Sequence, residues 1–293
     1  MRVFVTGANG FVGSAIVEDL IQAGHQVLGL ARSDAASDAL KQLGAQVHRG
    51  DLTNLESLAA GALASEGVIH TAYNHDFSQF AAAGEMDRRA VEVLGTALAG
   101  SDRPLVITSA VGLLSPGRPT TEDDDGDPNG PGAIRIPSEE KALASSSQGV
   151  RSSIIRLPPT VHDRSKQGLA TRLIGLARQT GVSAYVGEGV NRWPAVHRLD
   201  AAHLFRLALE KGAAGSRYHA IAEEEIQVRE IAEAIGRMLK VPVAAISPDK
   251  AAEHFGFLAY FVNADFQASS ARTKKALRWN PTHPGLIADL EDA

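Results

Sequence analysis

The sequence predicts an α/β protein: a doubly wound parallel sheet followed by a smaller C-terminal α/β unit. Three observations carry this. Short, nearly continuous apolar runs alternate with amphipathic helical stretches through the first half of the chain. A glycine-spaced turn, Gly7 to Gly13, sits between the first run and the first helix. Beyond Pro158 the alternation gives way to loops, short runs and further helical stretches. Such runs suit strands covered by helices on both faces, and strand–helix alternation builds right-handed βαβ units.

Arg2–Thr6 reads as the first strand. Phe11–Ala23 reads as the first helix because Val12, Ile16, Val17, Leu20 and Ile21 share one face. Gly24 and His25 end it. Gln26–Ala31 is the second strand, Ala36–Leu43 a helix, Gln46–His48 the third strand, Leu55–Leu63 a helix and Gly67–His70 the fourth strand. A long helix runs from about Phe77 to Leu98, and Pro104–Ser109 and Arg151–Arg156 supply the fifth and sixth strands. Later, Asp163–Gln167 and Gly187–Arg192 read as loops, and Leu169–Gln179, Ala201–Lys211 and Arg229–Leu239 as helices. Ala184–Val186, Tyr218–Ala220 and Val243–Ile246 are short strands. Residues 115–135, rich in Pro, Gly and Asp, form either a solvated surface loop or a lid over a site.

The chain has 293 residues, 44% of them hydrophobic and 22% charged, enough for one large or two modest domains with ample core. A net charge of -5 and the lack of a basic stripe interleaved with aromatics argue against a nucleic-acid partner. Cysteine is absent, which removes disulfides, thiolate nucleophiles, zinc knuckles and iron–sulfur clusters. No signal-peptide core precedes the first strand, and no apolar run approaches the ~18 residues that span a bilayer. A cytoplasmic protein without a membrane partner is expected. No metal is expected either: Asp123-Asp124-Asp125 lacks the alternating spacing of a calcium loop, and no paired-histidine helix occurs. Ser109-Ala110-Val111-Gly112 lacks the glycines of a nucleophile elbow.

The strongest motif is Thr6-Gly7-Ala8-Asn9-Gly10-Phe11-Val12-Gly13, which ends a strand and opens a helix. The first glycine permits a tight turn, the second lets backbone N–H groups approach a pyrophosphate, and the third allows close helix–strand packing. The helix N-terminus adds a positive dipole end and unpaired donors. In that context the turn reads as a Rossmann-type dinucleotide site. Its spacing resembles the TGxxGxxG turn of the extended short-chain dehydrogenase/reductases, the NAD-dependent epimerase/dehydratase-like proteins. Further segments resemble that family in order along the chain: Gly50-Asp51-Leu52, Val68–Ala72, Val93–Thr96, Ile107–Ser109, Arg156–His162, Trp193–Asp200 and Leu277–Pro281. The resemblance implies a dinucleotide-binding domain over 1–160 and a substrate domain mainly over 161–293, with segments around 193–210 returning to the first. It implies that Asp51 and Leu52 meet adenine, that Thr71 and Ala72 lie beside the cofactor, and that Leu157, Pro158 and Pro159 follow it.

Cofactor choice is legible after the second strand. Asp or Glu there holds an adenosine 2′-hydroxyl and repels a 2′-phosphate. This chain has Arg32 and Ser33, a forked cation and a hydroxyl, followed by Asp34. NADP(H) is therefore expected over NAD(H), against the plainer reading of Arg32 as a solvated surface cation.

The catalytic motif is where the resemblance fails. The family places Tyr and Lys at YxxxK, the Tyr as general acid/base and the Lys on the nicotinamide ribose. Here Lys141 stands at the Lys position and Pro137 at the Tyr position, and proline carries no proton. Pro137 with Glu139 and Glu140 suits a helix start. The resemblance makes Lys141 a cofactor ligand and Ser109 a hydrogen-bond donor to a substrate oxygen. Tyr73, His75, His162 and His197 remain as proton donors, each with a structural alternative in packing or backbone bonding. Three functions stay open: an NADP(H)-dependent oxidoreductase on a small carbonyl or alcohol with a displaced proton donor, a nucleotide-sugar epimerase or dehydratase, and a catalytically silent NADP(H)-binding sensor. A monomer or homodimer with a small-molecule substrate is expected.

Overall fold

The computed structural model describes residues 1–75, 79–165 and 168–292. The first half runs β1 (Arg2–Thr6), α1 (Phe11–Gln22), β2 (Gln26–Ala31), α2 (Asp34–Gln42), β3 (Gln46–Arg49), α3 (Leu55–Leu63), β4 (Gly67–His70), α4 (Phe80–Leu98), β5 (Pro104–Ala110), α5 (Ile136–Ser146) and β6 (Arg151–Leu157). The second half runs β7 (Thr160–His162), α6 (Ala170–Thr180), β8 (Ser183–Val186), β9 (Arg192–His197), α7 (Arg198–Lys211), β10 (Ser216–His219), β11 (Glu223–Gln227), α8 (Val228–Leu239), β12 (Val243–Ile246), α9 (Ala251–Phe255), α10 (Ala259–Asn263), α11 (Ala271–Leu277) and α12 (Leu286–Glu291). The long helix expected from Phe77 begins at Phe80, and Phe77 itself lies outside the described residues.

The large sheet has the order β3-β2-β1-β4-β5-β6-β10, parallel throughout. Its strands are apolar on both faces. In β1, Val3 and Val5 join the core under α1 and α7, while Phe4 packs into a second core under α3, α4 and α5. The same alternation holds for Ile69 against Val68 in β4 and for Ile155 against Ile154 in β6. This explains the uninterrupted apolar runs: period-two side chains find a hydrophobic layer in both directions, each buried large residue contributing about 1.5–3 kcal/mol.

Beyond β6 a three-stranded sheet, β11-β9-β7, and a two-stranded one, β12-β8, build the second unit around Trp193, Ile231, Phe255 and Leu286. The sequence reading missed β7, β9 and β11; β9 begins inside the expected loop Gly187–Arg192. After β9 the chain returns to the first unit. Leu204, Phe205 and Leu209 of α7 pack in the core with α1, and β10 extends the large sheet beside β6.

Candidate functional site

The glycine turn leaves β1 between β2 and β4, where crossover connections run in opposite directions along the sheet and ligands of such folds collect. Gly7 has φ +68, and a Cβ there would stand 2.7 Å from the Ala72 backbone nitrogen. Thr71 Oγ1 donates to Thr6 O (2.7 Å) and Ala72 N to Thr6 Oγ1 (3.3 Å), which holds this approach. A Cβ on Gly13 would lie far inside van der Waals contact with Gly7 O. Among the described residues a Cβ at Gly10 would meet only Gly7 O at 3.0 Å, so that side of the turn is open. Gly10 caps α1 without a side-chain hydrogen bond, so the start of the helix presents first-turn N–H groups, those of Val12 and Gly13 among them, toward the open side of the turn. The cradle fits a dinucleotide pyrophosphate, with Asn9 at its rim.

At the adenosine end, Arg32 is exposed just past β2 and Ser33 Oγ accepts from Ala36 N (3.2 Å) as the cap of α2. Sequence reasoning missed Arg49. The β2–β3 register sets it beside Ala31, and its guanidinium meets Asp34 (3.1 Å) and donates to Ser37 Oγ (2.7 Å). Asp34 is thus ion-paired with a cation at the mouth. Asp51 Oδ1 accepts from Thr53 Oγ1 (2.6 Å) and Thr53 N (2.8 Å), and these bonds hold its carboxyl below the usual range. Leu52 is half-buried beside it.

At the other end, β4 and β5 lie side by side with His70 opposite Ile107. Among the described residues, Ser109 near the end of β5 and Tyr73 just after β4 each bury a hydroxyl oxygen that makes no well-aligned hydrogen bond. Burial pushes the Tyr73 phenol above its ordinary value, and Arg135, through its positive charge and its hydrogen-bonding approach to the phenol, opposes that rise. The Arg135 guanidinium carbon sits 4.2 Å from the Tyr73 ring centroid, and its Nη2 donates to Thr108 O. Behind it, Asp87 Oδ2 is 3.7 Å from Arg135, accepts from Ser138 Oγ, and Asp87 Oδ1 lies 3.2 Å from His70 Nε2. His70 Nδ1 is 2.8 Å from Thr6 Oγ1. Burial works against ionisation of Asp87, yet Arg135 and the hydrogen bonds from His70 and Ser138 keep its carboxyl below the usual range.

Lys141 does not join this group. Its Nζ donates to Glu92 Oε1 (2.5 Å) on the exposed side of α4. The inward pair at spacing four is Arg135 and Glu139, two residues earlier and so about 200° around the helix. Glu139 is buried in a bidentate pair with Arg156, which donates from Nε (2.9 Å) and Nη2 (2.6 Å). Pro137 lies in the first turn of α5, one residue after its start at Ile136.

His162 and His197 face another set of partners. His162 is buried with Nδ1 2.7 Å from Asp289 Oδ2 of α12. His197 Nδ1 accepts from Leu199 N (3.2 Å) to cap α7, and its ring stacks on His283 at 4.8 Å. Burial holds the His197 imidazole below its ordinary value. The backbone bond of His197 is the structural alternative expected for it, whereas His162 is held by a buried carboxylate. His75 is exposed, its ring edge-on to Tyr73 at 5.4 Å. Leu157, Pro158 and Pro159 form the turn from β6 into β7. Among the described residues no cluster suited to a metal occurs, and no helix is long and apolar enough to cross a membrane.

The model of the NAD-dependent epimerase/dehydratase family matches residues 3–222. An uncharacterized protein of Schizosaccharomyces pombe is 47% identical over 290 residues, covering 99% of this chain and 98% of its own length. The decarboxylating sterol-4-alpha-carboxylate 3-dehydrogenase of Dictyostelium discoideum is 27% identical over 243 residues, 78% of this chain and 73% of its own. Among solved structures, the dTDP-glucose 4,6-dehydratase of Streptomyces venezuelae with NAD bound superposes with a TM-score of 0.79 at 19% identity, over 100% of this chain and 96% of that one.

Proposed function

The chain belongs to the NAD-dependent epimerase/dehydratase family, and from that premise we propose that it is an NADP(H)-dependent oxidoreductase acting on the carbonyl of a small molecule, with Tyr73 as proton donor. One observation carries the reading: two buried hydroxyls without a well-aligned hydrogen bond, Tyr73 Oη and Ser109 Oγ, stand at the ends of adjacent strands beside the dinucleotide turn. Buried polar atoms are usually satisfied, and two hydroxyls free to donate at neighbouring strand ends suit a ligand oxygen between them. The Dictyostelium relative, named a 3-dehydrogenase, supports redox chemistry at a carbinol or carbonyl carbon.

Residues of the Gly7–Gly13 turn would hold the pyrophosphate, Asp51 and Leu52 the adenine, and Arg32, Ser33 and Arg49 a 2′-phosphate. Bound NADPH supplies the hydride. Ser109 Oγ donates a hydrogen bond to the carbonyl oxygen and orients it. A phenol is protonated at neutral pH and burial pushes that of Tyr73 further up, so it enters reduction with the proton in place.

Pro137 at the family's Tyr position is the observation that favours a second reading, a silent NADP(H)-binding sensor. Transfer of deuterium from 4-labelled NADPH across a panel of carbonyl compounds decides between them. Label in a product alcohol, lost in Tyr73→Phe, is the expected result. NADPH binding with no transfer to any compound supports the sensor, and binding of a nucleotide sugar would bring back the epimerase reading.

A further inference from the structure

We propose that Arg135 is the cation that orients and activates the proton donor, held in place by the buried Asp87, and that Lys141 has no part in that step. The inference rests on the reading of Tyr73 as the donor.

Arg135 touches both halves of the site. Its guanidinium covers the Tyr73 ring at 4.2 Å, within cation–π range, and it donates to the carbonyl of Thr108, the residue before Ser109. One side chain therefore fixes the ring that carries one buried hydroxyl and the strand end that carries the other. Arg135 Nε is itself buried without a partner, so the fork retains a donor. Asp87, 1% exposed, anchors the guanidinium from α4. His70 and Ser138 brace Asp87, and His70 reaches Thr6 at the edge of the dinucleotide turn.

The chemistry needs such a cation. In reduction the carbonyl carbon gains a hydride from NADPH and the oxygen gains the Tyr73 proton, whose phenolate then recovers a proton from water. Negative charge develops on a phenol that burial already disfavours ionising. A positive charge within ~4–6 Å favours that charge where solvent cannot. Among the described residues, the titratable and charged groups around Tyr73 are Arg135 before α5, Asp87 on α4 and His75 on the same loop. Arg135 eases proton release; Asp87 opposes it and keeps the resting phenol neutral.

The test reads Tyr73 directly, without cofactor, as tyrosinate absorbance against pH, each protein being compared with its own Tyr73→Phe variant. Circular dichroism identifies the folded range. Arg135→Met should move Tyr73 ionisation upward by about one pH unit, Arg135→Lys should move it less, and Asp87→Asn should move it downward. In the reductase assay Arg135→Met should lower kcat about tenfold or more with KM within about threefold, and Arg135→Lys should restore part of the loss. If Arg135→Met does not fold, Arg135→Lys and Asp87→Asn still give shifts of opposite sign. An unchanged Tyr73 titration in all the folded variants overturns the proposal, even where Tyr73→Phe abolishes turnover and the donor reading stands. Full turnover in Tyr73→Phe overturns the donor reading instead, while the titration still shows whether Arg135 governs the phenol.

Discussion

Replacing Arg32 with alanine probes the adenosine end, where the proposal is most quantitative. The guanidinium stands exposed past β2, and Arg49 lies beside it on β3 with Asp34 and Ser37 as its partners. A hydrogen bond to a charged group is worth about 1.5–3 kcal/mol, and exposure to solvent places Arg32 near the lower figure. Loss of about 1.5 kcal/mol corresponds to roughly tenfold weaker binding. Arg49→Ala should weaken NADPH by at least as much, because it removes a cation and also leaves the Asp34 carboxylate facing the phosphate. Asp34→Asn should have the opposite sign and tighten NADPH severalfold. Fluorescence titration of each variant with NADPH and with NADH measures the ratio that matters, since NADH lacks the phosphate and should change little. Equal affinity of the unmodified protein for both nucleotides would refute the argument at its root; equal losses for both in Arg32→Ala would place Arg32 on the shared part of the cofactor.

Gly10→Val should leave the fold nearly intact and abolish NADPH binding, because a side chain there meets only Gly7 O before entering the open face of the turn; denaturation and NADPH titration read both halves. Gly13→Ala should also lower stability, by about 1–3 kcal/mol, since its Cβ collides with the backbone of Gly7. His162→Gln should destabilise the protein by about 3 kcal/mol through the buried Asp289 it leaves unpaired, while NADPH affinity holds; a selective loss of turnover in a stable variant would return His162 to the list of proton donors. Acid should unfold the protein through His219, which burial drives down to about 4. A base depressed from 6.5 in the folded state stabilises above 6.5 and loses that contribution as pH falls toward 4, in all about 3 kcal/mol. Denaturant titrations at pH 7 and pH 4.5 check this, and His219→Gln should flatten the difference.

The first half of the fold was legible because both of its signals are local. Apolar period and glycine spacing placed β1 to β6 within a residue or two, and the turn's glycines each meet the backbone constraint that their positions implied. The small sheet was not legible. In β9 and β11, Trp193, Pro194 and the run Glu223-Glu224-Glu225 carry no clean alternation, and those strands exist because they pair with each other and with β7. At the cofactor end the sequence read Arg32 from its place after a strand, but Arg49 depends on register between strands. At the other end Tyr73 and Ser109 stand out in the sequence as hydroxyls following β4 and β5, whereas Lys141, expected at the nicotinamide ribose, pairs with Glu92 in the structure. Spacing four fits both Pro137/Lys141 and Arg135/Glu139, and only packing chooses between them. A charged pair buried against Arg156 and Asp87 was the missing signal, and nothing in a spacing rule reports burial.

The same limit governs residues 115–135, read from sequence as a loop or a lid. The stretch is stitched down: Gly117 N donates to Asp265 O (2.8 Å), Thr120 N to Gln267 O (2.9 Å), and Ser269 N returns a bond to Thr120 O (2.9 Å). The acidic run is spent on cations, Asp123 with Arg272, Asp124 with Arg118 and Asp125 with Arg217. Buried Glu122 accepts from Thr273 N and Oγ1, both at 2.7 Å, and Arg156 Nη1 donates to Asp124 O (2.8 Å). Exposed pairs add little, but pulling Glu122 and the Arg156 contact out of their buried partners costs several kcal/mol. Opening by the whole segment is therefore expensive compared with movement elsewhere in the wall. Arg156 also clamps Glu139, and Glu139 is one helical turn from Arg135. These contacts favour a fixed strap over a lid: they tie residues 115–135 to the elements that hold the start of α5, where Arg135 stands beside Tyr73.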